Sequence, residues 1–182
     1  MVSSILPLTV VTNDQLPIPG LDPWYADPRD SALSVMTDFR ERASITVSDT
    51  ETIDDAMEHM RHTGVRCAFA VDAPMRAVLG LITAYDIVGE KPMQYMLSRS
   101  IRRCEILVRD IMLEISSCAV VDIKQIERAT VAAVANMFTA NRLTHVPVIE
   151  TNENGEQRLR GLLSAAKVRR LLTRTPEIAT GT

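Results

Sequence analysis

Aromatic residues make up only 4% of this 182-residue chain, so any core it builds must be aliphatic. Cysteine is scarcer still: Cys67, Cys104 and Cys118 are odd in number and lack CxxC spacing, which points away from a disulfide framework or a zinc site and reads as reduced thiols. Positive charge is not in excess either. A formal net charge of -3 and a pI near 5.6 argue against a general nucleic-acid binder, whose footprint is a strongly basic face. No apolar run approaches the ~18 residues that a transmembrane helix requires. The opening Met-Val-Ser-Ser-Ile-Leu-Pro has no basic segment, and its apolar character ends at Thr12, Asn13 and Asp14, so it makes a poor signal peptide. The expectation is a soluble, cytoplasmic protein. Gly-x-Ser-x-Gly, P-loop and HExxH motifs are all missing, which leaves catalysis without evident residues and the reading as not an enzyme.

What is present is a hydrophobic content of 46%, ample for one domain or two small ones, and a repeated corner. Gly80-Leu81-Ile82-Thr83-Ala84-Tyr85-Asp86 has a weaker echo in Gly161-Leu162-Leu163-Ser164-Ala165-Ala166-Lys167. In each, a glycine opens an apolar strand end, a hydroxyl residue follows, and an amphipathic run begins. Thr83 and Ser164 are therefore expected at helix N-caps, where unpaired backbone N–H groups can hold an anion. Asp86 has the acceptors for the vicinal hydroxyls of a ribose. The alternative is that Thr83 and Asp86 form a capping box that satisfies its own donors and binds nothing.

Self-similarity extends beyond the corners. Thr52 to Met60 aligns with Thr130 to Phe138, with apolar residues at 53, 56, 57 and 60 against 131, 134, 135 and 138, the spacing of a helix with one buried stripe. At the same offset, Cys67 to Asp72 aligns with His145 to Glu150, both short apolar strands closed by an acid. The first copy then turns through Ala73 to Arg76 and the second through Thr151 to Gly155, where Asn-Gly is a hairpin signal. Each unit reads strand, helix, strand, hairpin, strand, helix, with first strands at Ser44 to Ser48 and Cys118 to Ile123. One such unit has too little interior to stand alone, so two are expected to pack face to face. Residues 1 to 30 are dense in proline (Pro7, Pro17, Pro19, Pro23, Pro28) and read as an extended arm in which Trp24 is expected to pack on the body. Leu33, Met36 and Phe39 predict a short amphipathic helix over Ser31 to Phe39.

These units resemble a tandem CBS domain pair, also called a Bateman module. The resemblance rests on Val108-Arg109-Asp110-Ile111-Met112, on His145-Val146-Pro147-Val148-Ile149, and on the two corners, with Val35 to Phe39 as a degenerate counterpart of Val108 to Met112. It implies an α+β fold of two β-α-β-β-α units related by a pseudo-twofold axis. The corresponding partition is an arm over 1–33, unit one over 34–90, a linker over 91–107, unit two over 108–175 and a tail over 176–182.

The family resemblance further implies a non-catalytic regulatory module, an energy sensor that binds AMP, ADP or ATP, or S-adenosylmethionine, between the units and signals to a regulated partner protein. No cofactor is required, and a homodimer of two pairs is implied. Carried over by position, Thr83 meets phosphate, Asp86 the ribose, and Ile45, Thr46, Val65, Arg66 and Cys67 surround the base. In the second cleft Ser164 keeps its hydroxyl, but Lys167 stands where an aspartate is expected, and an ammonium cannot accept from a diol. That cleft, lined also by Thr144, His145 and Pro147, is expected to be altered or silent. A ligand-free dimeric adaptor is the alternative.

Other candidates read as surface or core. Asp55, His59 and His62 share a helix face and could ligate a divalent metal, but a solvated face is the expected role and no metal site is assigned. Arg99, Arg102 and Arg103, and separately Lys167, Arg169, Arg170 and Arg174, form two basic runs that could reach nucleotide phosphates, an acidic partner or RNA, but are expected to be exposed helix faces balanced by the acidic excess elsewhere. The nine methionines suit an adaptable core or interface.

Overall fold

The structure, a computed structural model, describes residues 25–72 and 77–173. The Pro-rich arm through Trp24, the turn Ala73 to Arg76, and the stretch from Arg174 onward lie outside the described residues.

In chain order the elements are β1 (Thr37–Asp38), β2 (Thr46–Ser48), α1 (Ile53–Thr63), β3 (Cys67–Val71), β4 (Val78–Thr83), α2 (Ala84–Val88), α3 (Lys91–Arg99), α4 (Val108–Ile111), β5 (Leu113–Glu114), β6 (Val121–Asp122), α5 (Ile123–Ile126), α6 (Val131–Asn141), β7 (His145–Thr151), β8 (Gln157–Ser164) and α7 (Ala165–Leu172). The duplicated helices begin alike. The Thr52 hydroxyl accepts from Asp55 N at the start of α1, and the Thr130 hydroxyl accepts from Ala133 N at the start of α6. Their stripes are buried as the periodicity predicts: Ile53, Ala56 and Met60 on α1, and Val131, Val134 and Phe138 on α6.

Two four-stranded sheets result, ordered β2-β3-β4-β5 and β1-β8-β7-β6. Within each, the first strand of the unit runs parallel to the second, and the second and third form an antiparallel hairpin. The fourth strand is exchanged. β5, which leads into unit two, pairs with β4 of unit one, while β1, which leads into unit one, pairs with β8 of unit two. The corner glycines sit at these junctions. A Cβ on Gly80 would lie 2.5 Å from the Leu113 carbonyl oxygen, and one on Gly161 would lie 2.6 Å from the Thr37 carbonyl oxygen. Register slips at each of these places, leaving Leu79 in β4 and Arg160 in β8 without a partner residue just before the glycine.

The cores follow the exchange. Val47, Ile53, Met60, Ile82 and Ile87 of unit one bury Ile106, Val108 and Ile111 with them, whereas Val35, Met36 and Ala32 pack with Val131, Phe138, Val148 and Leu163 of unit two. A third cluster joins the sheets: Cys67, Phe69 and Leu81 meet Phe39, Cys118, Leu159 and Leu162, with Phe39 edge-on to Phe69 at 5.7 Å.

The helix expected over Ser31 to Phe39 is not formed. A single 3-10 turn, Ala32–Val35, ends at Met36, whose backbone is extended, and Thr37 and Asp38 enter β1. Pairing with β8 outweighs the local helical spacing. Asp38 is held there by an ion pair with Arg160, and Arg40 reaches Glu150 at 2.7 Å. Residues 26–32 lie along unit two, where Ala26 N donates to Leu171 O and Ala132 N to Pro28 O, 3.1 and 2.9 Å.

Candidate functional site

Parallel pairing of β2 with β3 and antiparallel pairing of β3 with β4 bring three chain segments to one end of the first sheet. The start of β2 supplies Ile45 and Thr46, the approach to β3 supplies Val65, Arg66 and Cys67, and the end of β4 supplies Thr83. Cys67 sits opposite Thr83, and Thr46 opposite Phe69. Ala84 N donates to Arg66 O at 2.9 Å and Phe69 N to Ile45 O at 2.9 Å, which fixes the three segments to one another. A cleft of about 290 Å3 opens beside them, lined by Met57, Met60, Arg61, Gly64, Val65, Arg66 and Ala84. Thus Val65 and Arg66 reach this cleft, whereas Thr83, Asp86, Ile45, Thr46 and Cys67 stand beside it.

Thr83 is buried, 7% exposed, and forms the capping box foreseen as the alternative. Its N–H and hydroxyl both donate to Asp86 Oδ2, at 2.9 and 2.6 Å, and its Oγ1 accepts from Asp86 N at 3.2 Å. The other carboxylate oxygen, Oδ1, lies 2.6 Å from Lys91 Nζ. Lys91 also donates to the Ile111 carbonyl at 3.1 Å, where α4 ends. Sequence reasoning missed this lysine. It follows Asp86 by a spacing that no helix face would bring together, and only the turn through Gly89 and the new start at Pro92 carry it back.

The second corner has the same frame and different chemistry. His145 pairs with Ser164, and Ala165 N donates to Thr144 O at 2.9 Å, the counterpart of the Ala84–Arg66 bond. Pro147 lies further along β7, opposite Leu162. The Ser164 side chain makes no cap to α7. Lys167 turns its ammonium to Met36 O at 3.3 Å and Thr37 Oγ1 at 3.5 Å, on the segment leading to unit one.

The two corners influence each other electrostatically. Burial holds the His145 imidazole below its usual range, and the Asp86 carboxylate of the other unit offsets part of that. Burial also pushes the Cys67 thiol far above the ordinary range, with Asp86 and Cys118 adding to the effect. Cys67 is therefore a packed, protonated thiol and not a nucleophile.

Several of the remaining candidates are engaged elsewhere, while Arg169 and Arg170 of α7 are exposed. Asp55 accepts from the Thr52 hydroxyl and His62 lies 3.6 Å from Glu58. Among the described residues no group of three acids, histidines or cysteines stands close enough together to hold a metal ion. Arg102 pairs with Glu105, Arg103 with Asp54, and Arg99 lies over the Tyr95 ring. Among the described residues no helix is long and apolar enough to cross a membrane.

The sequence profile of the CBS domain matches twice, at residues 27–92 and 108–174, so the chain belongs to the CBS domain family and carries a tandem pair. Solved CBS-pair structures share the fold. CBSX2 in complex with AMP superposes with a TM-score of 0.53 at 20% identity, over 78% of this chain and 94% of that one. The same CBS-pair protein from Arabidopsis thaliana, in another crystal structure, gives 0.51 at 20% identity, over 78% and 93% of the two chains. An uncharacterized conserved protein from Pyrococcus horikoshii gives 0.56 at 16% identity, over 84% of this chain and 99% of that one. No curated protein matches in sequence.

Proposed function

We propose that the chain is a non-catalytic regulatory module that binds an adenosine nucleotide at the first corner and passes the signal to a partner protein. The observation that carries this reading is the convergence of Asp86 and Thr83 with Ile45, Thr46, Val65, Arg66 and Cys67 at one sheet end. The AMP held by CBSX2, a protein of the same fold, supports the ligand class. In this reading Asp86 accepts the ribose hydroxyls, the Thr83 hydroxyl meets phosphate, and the residues before β3 flank the base. Lys167 leaves the second cleft without a ribose acceptor, so one site per chain is expected.

Signalling requires that the nucleotide favour one arrangement of the units, with a coupling of roughly 1 to 3 kcal/mol as the usual scale. Tyr85, Val88, Met93 and Leu97, large apolar side chains left exposed on α2 and α3, supply area for a second copy of the chain or for the regulated partner. A cytoplasmic location accords with the free thiols.

Calorimetric titration with AMP, ADP, ATP and S-adenosylmethionine tests the site. Wild type is expected to bind one of the adenine nucleotides, and Asp86→Ala to lose about tenfold or more in affinity, the scale of a charged hydrogen bond. Absence of binding, or an unchanged Asp86→Ala, removes the assignment. The self-closed capping box favours a second reading, a ligand-free dimeric adaptor. A dimer that persists and captures its partner with no nucleotide response would select it.

A further inference from the structure

We propose that Lys91 is an internal occupant of the Asp86 carboxylate, which the ribose of an adenosine ligand must displace, and that its displacement carries occupancy to the segment joining the two units. The inference rests on the nucleotide-binding reading above and adds its regulation. A carboxylate offers about four acceptor positions. At Asp86 three are taken: two on Oδ2 by the Thr83 N–H and hydroxyl, and one on Oδ1 by the Lys91 ammonium at 2.6 Å. A vicinal diol needs two. The Thr83 N–H bond is part-buried and holds the start of α2, whereas the Lys91 side chain is 45% exposed and can leave into water. The ammonium is therefore the group that yields.

Its departure has a second effect because the same Nζ donates to Ile111 O, 3.1 Å away. Ile111 closes α4, and the chain passes from it through Met112 into β5, the exchanged strand at Gly80 and Leu81, and on toward unit two. When Lys91 leaves, the α4 terminus loses a donor and that joint loosens. Unit two repeats the contact from another position, on its corner helix. Lys167 reaches Met36 O, just before β1, at 3.3 Å. An ammonium thus ties each exchanged strand, and in unit one the tie shares its cation with Asp86.

The test compares wild type, Lys91→Met, Lys91→Gln and Lys91→Arg by AMP calorimetry and by hydrogen exchange at residues 112–114. Lys91→Met and Lys91→Gln are expected to bind AMP about fivefold or more tightly than wild type, the scale of a half-exposed ion pair. Lys91→Arg, which keeps a cation, is expected to stay near wild type. In wild type AMP should speed exchange at 112–114. In Lys91→Met exchange should already be fast and respond little. Equal or weaker AMP binding by both neutral variants, with wild type binding, overturns the role of Lys91 and leaves the nucleotide site standing. If wild type and every variant fail to bind AMP, ADP and ATP, the nucleotide reading falls and this inference with it. Binding by the neutral variants alone supports both.

Discussion

His145 stands at the start of β7 in the second corner, close enough to Asp86 of the first to feel its charge, yet burial still holds its imidazole below the ordinary value of 6.5. An unfolded chain would take up a proton near that value, while the folded chain resists it. The folded state therefore keeps its full advantage above about pH 6.5 and loses it as pH falls through the lower folded value. The melting temperature is expected to drop between pH 7.5 and 5.5, and His145→Gln should remove that part of the drop. A parallel decline in wild type and variant would show that other groups carry it. Asp86 illustrates a different limit of residue-scale reading. Its spacing from Thr83 left a capping box and a ribose acceptor both open, and the structure builds the first, with Lys91 on the other carboxylate oxygen. That lysine could not be read from the chain, because a broken helix and a proline start, not a periodicity, bring it to the carboxylate.

Among the elements, the amphipathic helices were legible because their stripes face a single core: 53, 56 and 60 on α1 and 131, 134 and 138 on α6 are all buried. The stretch from Leu33 to Phe39 misleads for the opposite reason. The three residues that set its helical spacing go to three environments: Leu33 stays 42% exposed, Met36 enters the core of unit two, and Phe39 joins the cluster between the sheets. Two-residue strands carry no pattern of their own. What admits β1 and β5 is the missing side chain at Gly161 and Gly80, far away in sequence. Gly80→Ala would press a methyl group on the Leu113 carbonyl and the Met112 sulfur, and Gly161→Ala on the Thr37 carbonyl and the Met36 sulfur. Each is expected to destabilise by about 1 to 3 kcal/mol, as overpacking does, and to lower the melting temperature. An unchanged melting temperature would mean that the exchanged strands can step aside.

For the whole molecule, the exchange makes each half depend on the other. The first core is completed by Ile106, Val108 and Ile111, and the second by Ala32, Val35 and Met36. Chemical denaturation is therefore expected to give one transition, coincident by far-UV circular dichroism and by the reactivity of Cys67. Two separated transitions would show that the units fold independently. The duplication and the order of the repeated strands and helices were readable from the offset repeats, whereas α5, which begins at Ile123 where a strand over Cys118 to Ile123 was expected, and the exchange were not, since no repeat reveals which sheet a leading strand will join. The crossed strands also bear on synthesis. As the chain emerges from the ribosome, the first sheet stays open at Gly80 until Leu113 and Glu114 have been made, and Thr37 and Asp38 wait without a partner until β8 follows. Cutting the chain between α3 and α4 would yield two pieces, each carrying the strand that the other lacks, so that neither would be a finished fold and together they would fit as complementary parts.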